Sequence, residues 1–261
     1  MILYSACLFS EQGDLQVFGR FYPGAMLTAQ APVGATVTVF GRSVYLDPQG
    51  RFVFGLGRDA KGEVDIHVST GPGAAKVYSF AVEPREYKIQ RIEGVAKKYV
   101  SPPESVLARI RRDNASVAKA RKVKTTAADF REGFIRPAKG PISGVYGSQR
   151  VFNGVPKRPH FGLDIAGPVG RKVLAPAAGT VTLTHPDMYY SGGTLLLDHG
   201  QGISSTFIHL SKILVATGQR VERGQVIAEI GATGRVTGPH LDWRVNWFDQ
   251  RLDPQLLIES P

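Results

Sequence analysis

The chain has 261 residues, 43% of them hydrophobic and 21% charged. That is room for two compact domains or one large one, and ordinary globular usage rather than extended disorder. No apolar run approaches the roughly 18–20 residues that a membrane-spanning helix needs. A single cysteine, Cys7, excludes an intramolecular disulfide framework and any cysteine-built zinc cluster. The formal charge of +10 is concentrated, because residues 85–126 hold twelve Lys and Arg against four acids. Such a segment suits nucleic acid, an acidic polymer or an anionic membrane surface, or simply a solvated linker helix.

Residues 1–12 are a candidate signal remnant, with no positive residue before Arg20. An export signal carries a basic start and a longer apolar stretch, so either the signal is shortened or no conventional one is used. Residues 13–84 read as short strands. Segments 36–40, 51–54, 64–68 and 76–82 are β-branched and aromatic, and several alternate apolar with polar residues. Gly34, Gly41, Gly50, Gly55, Gly62 and Gly71 punctuate them at hairpin-like spacing. A small β-sandwich follows. His67 alternates with apolar neighbours and is expected to be structural.

Residues 85–133 read as a basic linker with a helix. Ser101 and Glu104 fit a capping box, and Pro102 and Pro103 suit a first turn. Val106, Leu107, Ile110, Val117 and Ala120 then recur at helical spacing with Lys and Arg around them. The spacing predicts a helix over 102–122, one narrow stripe packed on a domain and the basic charge on its other face. Nucleic acid is not an expected partner, since no aromatic platform or groove-reading motif is interleaved with that charge. Residues 134–261 return to Gly and β-branched residues between turns, a second β-rich domain. The fold class is therefore mainly β.

Three segments of this second domain carry candidate chemistry. In Pro159-His160-Phe161-Gly162-Leu163-Asp164, a nitrogen ligand and a hard carboxylate stand four apart, a pair that suits zinc where the chain bends. His209 ends the β-like run Ser205-Thr206-Phe207-Ile208. After a Gly-rich turn, His240 and Asp242 stand two apart, which on a strand puts both on one face with Leu241 behind them. His185 and His199 read as loop and turn residues outside the site.

Together these segments resemble the lysostaphin/LytM-type zinc metallopeptidases, which cut peptide bonds in bacterial peptidoglycan. The resemblance covers roughly residues 140–247. It includes Gly147-Ser148-Gln149-Arg150, Ala175-Pro176-Ala177-Ala178-Gly179-Thr180-Val181, Leu195-Leu196-Leu197-Asp198-His199-Gly200 and Val221-Glu222-Arg223-Gly224-Gln225-Val226-Ile227. It implies an antiparallel β-sheet groove with a metal on its floor and an accessory β-sandwich in front. It implies that His160 and Asp164 bind one Zn2+ per chain, and that His209 and His240 are the non-ligand catalytic histidines. The family's third ligand is the second histidine of an H-x-H pair; here that position is Asp242. A second carboxylate makes the site neutral rather than positive and is expected to weaken its Lewis acidity.

The expected function is a zinc-dependent endopeptidase that hydrolyses peptidoglycan cross-links with metal-activated water, in the cell envelope. The alternative is an inactive module of this type that binds wall and activates another hydrolase. Arg150 is a candidate for binding a wall-peptide carboxylate, against a plain role at the surface. The pattern over residues 215–230 also resembles lipoyl and biotinyl carrier domains, but no exposed turn lysine lies between Gly224 and Trp243.

Overall fold

The computed structural model describes residues 9–12, 14–94, 102–123 and 125–258. Cys7, Ser101 of the expected capping box and most of the candidate signal remnant lie outside them. The chain divides into two compact units. One is made of residues 1–86, 249–252 and 259–261, the other of residues 87–248 and 253–258.

Among the described residues before residue 87, eight strands of the first unit form two antiparallel sheets. They are β1 (Phe9–Gln12), β2 (Leu15–Phe18), β3 (Met26–Gln30), β4 (Thr36–Val39), β5 (Arg42–Ser43), β6 (Arg51–Gly55), β7 (Glu63–Ser69) and β8 (Lys76–Ala81). The sheet orders are β1-β2-β3-β6 and β5-β4-β7-β8. In β7, Val64, Ile66 and Val68 are buried while Glu63, Asp65 and His67 are exposed, as period-two alternation requires. His67 is thus a solvent-facing strand residue rather than a core histidine. Phe21 stacks on Phe80 with ring centroids 4.6 Å apart and lies 6.1 Å from Phe54, which links the inner faces of the two sheets. Each such ring contributes about 1.5–3 kcal/mol by leaving water.

The second unit begins with β9 (Ile89–Ile92) and α1 (Leu107–Ala120), which follows a short 3-10 turn at Glu104–Val106. Then come β10 (Ile142–Gly144), β11 (Gln149–Phe152), β12 (Val155–Pro156), β13 (Leu163–Ala166), β14 (Lys172–Leu174), β15 (Gly179–Met188), β16 (Gly192–Gly200), β17 (Ile203–Ile213), β18 (Arg220–Val221), β19 (Val226–Ile230), β20 (His240–Trp247) and a terminal helical turn, α2 (Pro254–Ile258). The main sheet runs β10-β13-β20-β17-β16-β15-β18, and β19 joins β17 to β14. Its strand pairs are antiparallel.

Described parts of the expected linker, residues 87–94, 102–123 and 125–133, belong to this unit. β9 pairs in parallel with β11, setting Gln90 against Arg150 and Ile92 against Phe152. Ala120 of α1 is buried, Leu107, Ile110 and Val117 are half-buried, and Arg111, Arg112 and Lys119 are exposed. Arg109 of α1 donates to the Asp187 carboxylate at 2.8 Å, and the Asp113 carboxylate accepts from the Tyr189 backbone N–H at 2.7 Å. No helix among the described residues is long and apolar enough to cross a membrane.

One face of the main sheet is closed by the segment around Phe130 and Phe134, both buried. Phe134 meets His199 edge-on at 5.4 Å and Trp243 at 6.3 Å. His199 is therefore no turn residue. It lies near the end of β16 with no exposed surface, its Nδ1–H donating to Ala178 O at 2.6 Å and its Nε2 accepting from Ser205 Oγ at 2.8 Å. Trp243 Nε1–H completes the chain by donating to Ser205 Oγ at 3.1 Å. His185 belongs to β15 rather than to a loop. The opposite face of β20 carries the chemistry.

Candidate metal centre

Strand alternation along β20 puts His240, Asp242 and Arg244 on one face and Leu241, Trp243 and Val245 on the covered one. The register of β13 with β20 sets Asp164 directly across from Asp242. Two glycines make room for the carboxylates. A Cβ on Gly144 would run into the Asp164 carboxylate, and one on Gly162 into Asp242 Oδ1. His160 arrives from the turn before β13. Its Nε2 lies 3.1 Å from Asp164 Oδ1, and its Nδ1 lies 4.0 Å from Asp242 Oδ2. The donor atoms of His160, Asp164 and Asp242 all fall within 4.8 Å of one another, and the three residues are buried.

The approach of His160 Nε2 to Asp164 Oδ1 lacks hydrogen-bond geometry, so among the described residues these two atoms and His160 Nδ1 are buried with no hydrogen-bond partner. Orphaned polar atoms of this kind cost about 1–3 kcal/mol each unless something satisfies them. A divalent cation does so, and one imidazole with two carboxylates is a donor set that zinc accepts. The residues fit the ion.

Two opposed carboxylates on one sheet face repel, and two arginines answer them. Arg244 forks onto Asp242, with Nη2 to Oδ2 at 2.6 Å and Nε to Oδ1 at 3.0 Å. Arg150, on β11, donates from Nη2 to Asp164 Oδ2 at 2.6 Å. Burial and the neighbouring Asp242 raise the Asp164 pKa, but His160 and Arg150 outweigh them and hold it below the usual carboxylate range. For Asp242, burial is likewise outweighed, by Arg244, His160 and His209, and its carboxyl is held well below that range. Each ionised oxygen has lone pairs to share between an arginine and a metal.

The charge balance therefore differs from that of the isolated H-x-D pattern. Two guanidiniums offset the charge of the two carboxylates, so a divalent ion bound there would leave the site net positive. Arg150 is not a bare surface residue, because the pairing of β9 with β11 holds it against Asp164. Arg244 was not anticipated from the sequence, although a legible signal existed: it stands two residues beyond Asp242 on the same strand face.

His209 and His240 flank the cluster with ring centroids 4.9 Å apart. His240 Nε2 lies 3.8 Å from Asp164 Oδ1. Each histidine donates Nδ1–H to a carbonyl, His209 to Thr233 O at 2.8 Å and His240 to Gly238 O at 2.9 Å. A carbonyl only accepts, so in the neutral ring Nε2 keeps its lone pair. Burial lowers the His209 pKa to about 4. The His209 backbone has φ 67, a left-handed conformation rare for residues other than glycine. Its N–H is held by Ser191 O at 2.8 Å. Strain of this sort gathers at functional positions.

Residues 158–254 match peptidase family M23. A solved structure described as a putative peptidase M23 from Pseudomonas aeruginosa aligns with a TM-score of 0.71 and 31% identity, over 92% of this chain and 96% of that one. The chain belongs to peptidase family M23. The matched M23 segment contains His160, Asp164, His209, His240 and Asp242, and Arg150 precedes it. Two curated relatives from Vibrio cholerae serotype O1 are each 46% identical. One is named peptidoglycan DD-endopeptidase ShyA and aligns over 33% of this chain, the other peptidoglycan DD-endopeptidase ShyB, over 43% of it. The alignments span only 20% and 24% of those two proteins.

Proposed function

We propose that this M23 unit is a zinc-dependent endopeptidase that hydrolyses peptide cross-links of bacterial peptidoglycan, and that it works in the cell envelope. The observation that carries the reading is the set of buried, unsatisfied atoms on His160 and Asp164, facing Asp242. The names of the Vibrio relatives support the substrate. His160, Asp164 and Asp242 hold the ion. Zinc supplies a Lewis acid that polarises the scissile carbonyl and acidifies water. Arg150 and Arg244 hold the two carboxylates in place. His209 and His240 present Nε2 lone pairs, and the half-buried His240 takes the attacking water's proton and passes it to the leaving amine. The exposed Arg111, Arg112 and Lys119 of α1 support a contact with anionic wall polymer.

The test is mass spectrometry of muropeptides released from purified wall, with and without chelator, beside metal analysis of the variants. Asp242→Ala is expected to lose zinc. His240→Ala is expected to keep zinc and lose roughly 100-fold or more in turnover. Full zinc occupancy in Asp242→Ala would overturn the ligand assignment. The arginines on both carboxylates favour one second reading, a metal-free module that binds wall and activates another hydrolase. Unchanged muropeptides from folded protein with zinc supplied would overturn the endopeptidase reading and favour this one.

A further inference from the structure

We propose that Arg235 is a substrate-specificity residue that binds a free carboxylate of the wall peptide beside the scissile amide. The inference rests on the endopeptidase reading above and adds to it the chemical class of peptide that the site selects.

Arg235 sits in the turn between β19 and β20. Its guanidinium lies over the ring of Tyr190 at 4.8 Å and the ring of Phe152 at 5.0 Å from the centroids. Two aromatic rings thus pack against the cation, and its N–H groups keep their capacity to bind a ligand. Among the described residues Arg235 makes no ion pair and no side-chain hydrogen bond, in contrast to Arg150 and Arg244. Its backbone is fixed, with its N–H donating to Tyr190 O at 2.8 Å. Gly234, at φ 72, packs so close to Tyr190 O and Gly192 N that a Cβ would not fit.

Every part of this cage is tied to the metal centre through neighbours in the chain. Thr233, two residues before Arg235, supplies the carbonyl that orients His209. Ser191, next to Tyr190, holds the His209 backbone N–H. Arg150, two residues before Phe152 on β11, grips Asp164. The segments that hold Arg235 are therefore the same ones that hold His209 and Asp164. Burial, and then the like charges of Arg244 and Arg150, lower the Arg235 pKa, as expected of a cation that lacks a carboxylate of its own. A planar carboxylate meets a guanidinium in two parallel hydrogen bonds.

The experiment compares cross-linked peptides that differ at one group, with wild type, Arg235→Gln and Arg235→Lys, zinc supplied throughout. One peptide keeps every carboxylate, one has the side-chain carboxylate next to the scissile bond amidated, and one has its C-terminus amidated. Wild type is expected to lose roughly tenfold in kcat/KM on one of the two amidations, mainly through KM. Which amidation does so identifies the carboxylate. Arg235→Gln is expected to cleave all three alike, and Arg235→Lys, with charge but no fork, to fall between. Equal cleavage of the three peptides by wild type would overturn the proposal, as would an undiminished preference in Arg235→Gln. If wild type cleaves none of them, the endopeptidase reading fails by itself. Calorimetric binding of the same peptides to the wild-type protein then decides the arginine, equal affinities overturning it and a weaker amide supporting it.

Discussion

The two units of this chain build β-sheet for different ends. In the first, β7 buries every second side chain, and among the described residues of this unit the buried side chains are apolar but for the phenol of Tyr78. In the second, β16 is buried along its whole length, and the buried polar residues include His160, Asp164, His199, Ser205, His209 and Asp242. Burying polar groups costs free energy unless they are partnered. The second unit meets that cost with paired networks on both faces of β20. On one face Trp243, Ser205, His199 and Ala178 form a closed hydrogen-bond chain. On the other, two arginines neutralise two carboxylates and still leave His160 and Asp164 Oδ1 unsatisfied. The lesson is where to look for chemistry: the face whose polar network is left incomplete is the face that takes a ligand.

The sharpest contrast comes from Phe54, fully buried in the first unit. Phe54→Ala is expected to cost about 3–5 kcal/mol through the cavity it leaves. Urea unfolding is expected to show that loss while zinc content, by metal analysis, stays unchanged. Loss of zinc would mean that the metal centre depends on the core of the first unit, and the contrast between the units would break. Next in size is Arg244→Ala, which strands the buried Asp242 carboxylate. It is expected to cost about 3 kcal/mol in chelator and less at saturating zinc, where the ion takes over the neutralisation. Equal losses under both conditions would detach Arg244 from the metal centre.

The smallest effect tests the covered face. Burial lowers the His199 pKa to about 4, below the ordinary value near 6.5. The unfolded chain therefore takes up a proton first as pH falls. The stability is fully present above about pH 6.5 and is lost progressively down to about pH 4, by about 3 kcal/mol at most. His199→Gln is expected to flatten that part of the pH dependence in urea titrations. An unchanged slope would place the titrating group elsewhere.

Much of this was legible in the sequence for one reason: strands have a period of two. That period marked residues 64–68 and 76–82 as half-buried strands, and it set His240 and Asp242 on one face. Applied one step further, it reaches Arg244. Arg235 carried no such signal, because its cage comes from Phe152 and Tyr190, residues far from it along the chain. Residues 85–133 looked like a linker because their charge is high, yet α1 needs only Ala120 buried and three half-buried neighbours to dock.

Local pattern alone determined the mainly β class and the resemblance that singled out His160, Asp164, His209, His240 and Asp242. Tertiary structure decided what surrounds them. Gln90 and Arg150 are brought side by side across 60 positions, and Arg150 reaches Asp164 only because β9 and β11 pair. His199 changed from a turn residue to a core residue because Phe134 and Ser205 close over it. Charge balance and burial depend on such long-range neighbours, and a strand's own periodicity holds no information about which strand lies beside it.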